Sequence, residues 1–186
     1  MKYIQVAVVL LSLTVFDWLV PTPAPAGRFG IGAREPGQLS TWEFLLKYLA
    51  QNRIELSSGL AMDNQKDASY QRKQWGTWVG GFYHISAKSP LHLKAGIRVL
   101  FNHLWYKYQY PGIIGPTEYK YNTWSFGPSV GVEYFFNPHI SLGPEIDYQI
   151  RRTFREEKDG YLVPTNVKSD YTTNRIVTSV SVVFYF

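Results

Sequence analysis

The sequence predicts an all-β fold, an eight-stranded antiparallel up-and-down β-barrel that spans a membrane. The 186-residue chain is 17% aromatic and 18% charged, a composition that favours strands over helices. Several long segments alternate apolar and polar residues with a period of two, as strands with unlike faces do. After the N-terminal segment, no stretch approaches the roughly 18 uninterrupted apolar residues of a membrane helix. If the mature chain spans a membrane, it must therefore do so as a barrel.

Residues 124–150 show the alternation most clearly. On the first arm Val130, Val132 and Tyr134 share an apolar face, while small and charged residues such as Glu133 occupy the other. A second arm continues the pattern to residue 150, and Asn137-Pro138-His139 between the arms is typical of a turn. The segment is therefore predicted to be a hairpin with one face towards lipid. Pro128 and Pro144 each predict a bulge or a missing ladder hydrogen bond.

The other predicted strands cover residues 27–35, 41–50, 54–63, 75–85, 91–102 and 175–186. The phase of the fourth is ambiguous, because Trp78 and Phe82 oppose Val79, Tyr83 and Ile85. Residues 64–74, about 107–122 and 155–171 are predicted to be long loops at one end of the barrel. Short turns join the strands at the other end, which is the layout of membrane-spanning barrels.

The N-terminus resembles a secretory signal. Lys2 precedes an apolar stretch from Ile4 to Phe16, and Ala24 and Ala26 occupy the small positions that a signal peptidase reads. We therefore expect residues 1–26 to be cleaved and residues 27–186 to form the barrel domain.

Aromatic residues are placed where a membrane interface would favour them. Four tryptophans fall at the long-loop ends of their strands, with Trp78 just inside that rim, and other rings fall at the short-turn ends. Two interfacial girdles are therefore predicted. Their members are Trp42, Trp75, Trp105 and Trp124 at one end and Tyr48, Tyr83, Tyr134 and Phe186 at the other. The alternative is that these rings fill the core of a soluble β-protein.

If the apolar face points outward, the charged face lines the lumen. The predicted lumen charges are Glu43, Lys47, Glu55, Lys94, Arg98, Glu133, Glu145, Asp147, Arg151 and Arg175, with Arg28 and Arg34 beside them. Side chains fill an eight-stranded barrel, and buried charges must be paired. We expect Lys47 to pair with Glu55, and Glu133 and Glu145 to share Arg98 or Arg151. A gated pore lined by these charges is the alternative.

A group of tyrosines follows the predicted rim: Tyr106, Tyr108, Tyr110, Tyr119 and Tyr121. They share the inward phase of their strands and are expected over the barrel mouth. Such rings suit recognition of a protein or glycan, and the alternative is a cross-strand ladder that stiffens the hairpin.

The C-terminal VSVVFYF, which ends in Phe186, and the hairpin GPSVGVEYFFNPHISLGPEIDYQI resemble the small eight-stranded outer-membrane barrels of the OmpA/OmpX-like and opacity-protein-like superfamily. The resemblance implies a Gram-negative outer membrane with its lipopolysaccharide, recognition of the C-terminus by the barrel-assembly machinery, and a monomer. It also implies a role in adhesion to a host or cell-surface ligand or in envelope integrity.

Other function classes receive little support. The chain has no cysteine and a scattered net charge of +5, so thiolate sites are excluded and nucleic-acid binding is not expected. No cofactor, metal site or catalytic residue is predicted. His84-Ile85-Ser86 resembles the lipid A deacylases over three residues only, without a recognisable acidic partner. A secreted lipocalin-like barrel with its apolar face inward remains a further alternative.

Overall fold

In the computed structural model, the structure describes residues 27–36, 42–51, 53–86, 90–109, 115–158 and 166–186, which form one closed sheet. The strands are β1 (Arg28–Pro36), β2 (Glu43–Ala50), β3 (Ile54–Lys66), β4 (Tyr70–Ser86), β5 (Leu91–Tyr108), β6 (Thr117–Asn137), β7 (Ile140–Lys158) and β8 (Asn166–Tyr185). Each pairs antiparallel with its neighbours in sequence, and β1 closes the ring against β8. The predicted eight-stranded up-and-down barrel is confirmed. The predicted signal segment, residues 1–26, lies outside the described residues.

No helix within those ranges is long and apolar enough to cross a membrane.

The apolar face of each strand points outward. On β6, Val130 is 51% exposed on the outer surface, whereas Glu133 of the opposite face is completely buried in the lumen. The same division holds on β5, where Ile97 lies outside and Arg98 inside. The lipocalin-like alternative, which requires an apolar interior, is therefore wrong.

The three predicted long loops are mostly strand in the parts that the structure describes. β3 continues to Lys66 and β4 begins at Tyr70, so the connection is the three-residue segment 67–69, closed by a hydrogen bond from the Asp67 amide to the Tyr70 carbonyl (2.7 Å). β7 and β8 likewise extend to Lys158 and Asn166. β4 to β8 are 17 to 21 residues long, about twice the 9–11 residues that cross a bilayer.

We call the extensions at this end the collar: residues 63–74, 103–109, 115–123, 152–158 and 166–174. The end that carries the collar is the loop end, and the opposite end, which carries both termini of the barrel, is the turn end. The described collar is uneven around the barrel. β1 and β2 are only 9 and 8 residues long and contribute no residue to it.

The sequence did not predict the collar strands, because neither face of these strands is fully buried. Residues 166–174 of β8 are exposed on both faces, so the apolar alternation that marks a strand is absent there. Pairing is supported instead by opposite charges across neighbouring strands: Arg152 binds Asp170 at 2.9 Å, and Lys168 binds Glu156 at 3.1 Å.

Each of the two strand prolines interrupts a ladder without a bulge. On β6 and β7 the pairs that would include Pro128 and Pro144 are missing, yet the register on either side of each gap is the same. Of the two outcomes predicted for these prolines, a bulge or a missing ladder hydrogen bond, the structure shows the second. At the first gap the strands approach closely, since a Cβ on Gly127 would lie 1.8 Å from the Tyr148 carbonyl oxygen. Only glycine fits at that position.

Candidate functional site

The turn half of the lumen is filled by a network of buried charges. All of these side chains point inward, and the set comprises the cations Arg34, Lys47, Lys94 and Arg98 with the carboxylates Glu43, Glu55, Glu133, Glu145 and Asp147. We call this set the lumen network. Its ion pairs join β1, β2, β3, β5, β6 and β7, so it crosses the whole bore.

Lys94 is at the centre of the network. Its ammonium lies 2.6 Å from Glu145, 3.0 Å from Glu55 and 3.7 Å from Glu133. Lys47 bridges two of the same carboxylates, at 3.5 Å from Glu55 and 3.3 Å from Glu133. The expected Lys47–Glu55 pair is therefore present. The cation shared by Glu133 and Glu145 is Lys94, and not Arg98 or Arg151 as the sequence suggested.

Two arginines form the layer of the network nearest the loop end. Arg34 donates to Glu43 at 3.0 Å and to Asp147 at 2.7 Å. Arg98 donates to Glu145 at 2.6 Å and also to Asp147. Arg34 also lies 3.7 Å from Glu145, so each guanidinium meets at least two carboxylates, which compensates its removal from water.

Aromatic rings of β4 line the network, and the sequence did not place them there. Trp78 is only 3% exposed, and its indole nitrogen donates to Glu43 at 2.8 Å. Arg98 lies over this ring at 4.2 Å, and Lys94 lies 4.9 Å from the Phe82 ring centre. The phase of β4, which the sequence left ambiguous, is therefore settled: Trp78 faces the lumen and does not join the predicted outer rim. Pairing of Gly59 with Trp78 explains the inward phase, because glycine leaves room for the indole.

Apolar side chains close the lumen at the turn end. Leu49, Phe135, Val183 and Tyr185 pack together there, all nearly inaccessible to solvent, and Leu45, between Glu43 and Lys47 on β2, extends the cluster up to Trp78. The Tyr185 hydroxyl donates to Glu133 at 2.8 Å and so joins this cluster to the lumen network. Arg28 covers the cluster from outside, with its guanidinium 5.2 Å from the Phe135 ring centre.

Arg151 and Arg175 stand apart from the lumen network. Both point inward from β7 and β8, but they line a cavity of about 350 Å³ in the loop half of the barrel. Trp78 and Glu43 form the floor of that cavity, and Tyr106 and Tyr121 are among its walls. These two of the ten predicted lumen charges therefore belong to a separate site.

The outer surface carries the aromatic residues of the predicted girdles. Trp75 packs on Phe101 at 5.2 Å between ring centres, and Phe101 packs on Trp124 at 4.7 Å, which makes a continuous band. Trp42 is exposed beside β2. Trp105 lies four residues beyond Phe101 on β5, under the Lys73 ammonium.

At the turn end the exposed rings include Tyr83, Tyr134 and Phe186. Tyr48 is half-buried against Phe29 at 4.7 Å. The outer wall between the two ends is apolar.

Comparison with known proteins identifies the fold. No protein-family model matches the sequence, and no curated protein matches it either. Among solved structures, a major outer membrane protein from Thermus thermophilus superposes with a TM-score of 0.59 at 15% identity, covering 87% of this chain and 100% of that one. The outer membrane protein OprG from Pseudomonas aeruginosa gives 0.57 at 13% identity, covering 88% and 97%.

The N-terminal β-barrel domain of Pseudomonas aeruginosa OprF gives a TM-score of 0.50 at 11% identity, covering 86% of this chain and 96% of that one. The chain has the fold of the small outer-membrane barrels. The fold resemblance stated from the C-terminal strand and the central hairpin is thereby confirmed.

In this outer-membrane barrel fold the tyrosine group forms a cross-strand ladder. Tyr106 lies 5.7 Å from Tyr119 and 5.5 Å from Tyr121, and Tyr108 lies 6.3 Å from Tyr119. All four rings are half-buried, and burial together with the Tyr121 hydrogen bond raises the pKa of Tyr106 above its ordinary value. Arg155 covers Tyr119 at 5.5 Å. Tyr110 lies outside the described residues.

The histidine of the three-residue enzyme motif is part of the barrel interior. His84 Nε2 lies 3.1 Å from a Glu55 oxygen, and its Nδ1 lies 3.1 Å from His92 Nδ1. An acidic partner therefore exists, contrary to the sequence analysis, because β3 and β4 pair there. The side chain of Ser86 is outside the described structure.

The same region is the one place in the described chain where ligand atoms for a metal ion cluster. Glu55, His84 and Glu133 offer atoms within 4.8 Å of one another. Lys47 and Lys94 already neutralise both carboxylates, so a cation would have to displace an ammonium. The arrangement is that of an ion-pair network.

Proposed function

We propose that this chain is an integral protein of a Gram-negative outer membrane whose lumen is sealed, and that it acts through its collar at the cell surface. The observation that carries the proposal is the combination of the lumen network with the apolar cluster below it. Together they occupy the turn half of the bore. The collar is then the part of the molecule available to partners in adhesion or in envelope integrity.

Lumen width supports a sealed barrel. Eight strands enclose a bore that side chains fill, so a continuous water path requires small residues or a displaced side chain. Here Lys94 and Arg98 reach from β5 to Glu145 on β7, and the Phe82 and Trp78 rings of β4 pack against these two cations inside the bore. Ion passage would require several buried pairs to separate together.

The outer surface of the collar suits contact with lipopolysaccharide. On the collar strands the outward cations are Lys66, Lys73, Lys107, Lys120, Arg152, Lys158 and Lys168, whereas the outward carboxylates are Glu118, Glu156 and Asp170. This excess of positive charge lies next to the aromatic band. Phosphate groups of the outer leaflet would be attracted to it.

We expect the purified protein to form no steady, sizeable channels in planar bilayers, because the buried ion pairs block the bore. The measurement is single-channel current after reconstitution, with a large-pore porin in the same bilayer as the positive control.

A gated pore is the second candidate, favoured by the charged character of the lumen. Steady conductance from the wild-type barrel, at a level above that of protein-free bilayers, would contradict the sealed lumen and support this candidate.

The proposed orientation is testable with single cysteines, because the chain has none of its own. Ser169→Cys places a thiol on the exposed collar, and Arg53→Cys places one at the exposed turn between β2 and β3. We expect a membrane-impermeant maleimide to label Ser169→Cys on intact cells. Arg53→Cys should react only after the outer membrane is permeabilised, and the reverse pattern would invert the proposed orientation.

A further inference from the structure

The cavity in the loop half of the barrel has a basic wall. Arg151 and Arg175 point into it from β7 and β8, where Arg151 pairs with Thr173 and Gln149 pairs with Arg175. The two arginines are thus diagonal neighbours on one face, and their guanidinium charges repel each other. Two positive charges therefore lie side by side in a half-buried site.

These arginines differ from those of the lumen network. Arg34 forms ion pairs with three carboxylates and Arg98 with two, whereas within the described ranges neither Arg151 nor Arg175 forms an ion pair. Arg151 donates to the Gln149 amide oxygen at 3.1 Å, and the Arg175 Nε is buried without a hydrogen-bond partner. A cation removed from water without a counter-charge is unfavourable. An anion from solution would supply that charge.

The opposite wall of the cavity is partly apolar. Leu100 and Leu104 project from β5 with Asn102 between them, and β4 contributes Trp78 at the floor with Arg72 and Gln74 above it. Unlike Arg151 and Arg175, Arg72 has a carboxylate nearby, Asp63 at 3.9 Å. In a ring of eight strands β4 lies across the bore from β8, so this wall faces the arginines. Thr123 and Thr153, which hydrogen-bond to each other at 3.0 Å, lie between the two walls. The site therefore has two arginines without a described carboxylate partner on one side and an apolar patch of Leu100 and Leu104 on the other.

We propose that this cavity binds a small organic acid with an apolar body, its carboxylate held by Arg151 and Arg175 and its body packed on Leu100 and Leu104. Guanidinium groups match carboxylates in charge and geometry. A volume of about 350 Å³ is at the small end of ligand sites, which limits the ligand to roughly one ring or a short chain. Because the lumen network lies beneath the floor, the site is one for binding and not for passage.

The test uses benzoate as the probe and calorimetric titration of the full barrel in a non-ionic detergent. We expect saturable binding, weakened at least tenfold in the Arg151→Gln/Arg175→Gln variant. The matched control is Arg152→Gln, which removes the adjacent but outward-facing arginine and should change affinity less than twofold. Benzyl alcohol, which lacks the charge, should bind the wild type at least tenfold more weakly than benzoate.

Three results would overturn the proposal: no saturable binding of benzoate, equal affinity in the double variant, or equal affinity for benzyl alcohol. Binding of inorganic phosphate as tight as that of benzoate would overturn the assignment of the apolar wall. Heat-modifiable gel mobility checks that each variant is folded. If the double variant does not fold, the comparison of benzoate with benzyl alcohol on the wild type decides.

Discussion

Replacing Lys94 with methionine is expected to lower the free energy of unfolding by about 3–5 kcal/mol, the effect of breaking a buried ion pair. Lys94 is fully buried, and its ammonium compensates Glu145, Glu55 and, more distantly, Glu133. The variant leaves three buried cations facing five carboxylates. Methionine is one heavy atom shorter but keeps an unbranched apolar side chain, so the change chiefly removes the charge. Urea-induced unfolding in lipid vesicles, followed by tryptophan fluorescence, measures the difference.

Lys168→Met is the matched control. It removes a lysine that also pairs with a glutamate, Glu156, at 3.1 Å, but on the exposed surface of the collar. Exposed pairs contribute about 0–1 kcal/mol, so we expect a small change. Adding Glu145→Gln to Lys94→Met removes one uncompensated charge and should recover part of the loss. If Lys94→Met were as stable as Lys168→Met, the lumen network would not be a buried one.

Replacing Val130 with arginine is expected to destabilise the membrane-inserted barrel by about 2–4 kcal/mol, the effect of an arginine on the lipid face at the bilayer midplane. Val130 is 51% exposed and lies midway along β6 between Trp124 and Phe136, six residues from each. In a bilayer this exposed surface meets hydrocarbon and not water. The measurement is the free energy of unfolding from lipid vesicles.

Val167→Arg is its control, because Val167 is 53% exposed but belongs to the collar. A surface substitution in water changes stability by only about 0.5 kcal/mol. The two valines therefore differ in their surroundings and not in their exposure. Equal effects of the two substitutions would place residue 130 in water and contradict a membrane-spanning barrel.

Local sequence predicted the fold well wherever one face of a strand is buried. The alternation through Val130, Val132 and Tyr134 indicated both the strand and its faces, because lipid and lumen select opposite side chains. It failed in the collar, for example at residues 64–66 and 70–74, where water surrounds the strands and the sequence carries no period. The orientation of Trp78 could not be predicted for another reason. A large aromatic ring suits either face of this barrel, and only the pairing with Gly59 showed that the indole points inward.

The lumen network was predictable as a set of residues but not as a set of contacts. Period-two spacing placed Lys94, Glu133 and Glu145 on the inward faces of their strands. Which cation meets which carboxylate depends on the stagger of neighbouring strands and on side chains that cross the bore. The shared role of Lys94 therefore emerged only from the structure, as did the approach of His84 to Glu55 across the β3–β4 pair.

Local sequence thus indicated the strand type, the number of strands and which charged residues share one face of the sheet. Those features depend on a residue and its near neighbours. The closed barrel was needed to show that the charged face is the lumen and how Lys94 and Arg98 are paired. It also showed that Arg151 and Arg175 have no carboxylate partner among the described residues, and that a cavity separates them from Leu100 and Leu104. These contacts run across the bore, between residues far apart in the chain, and are fixed by closure of the ring.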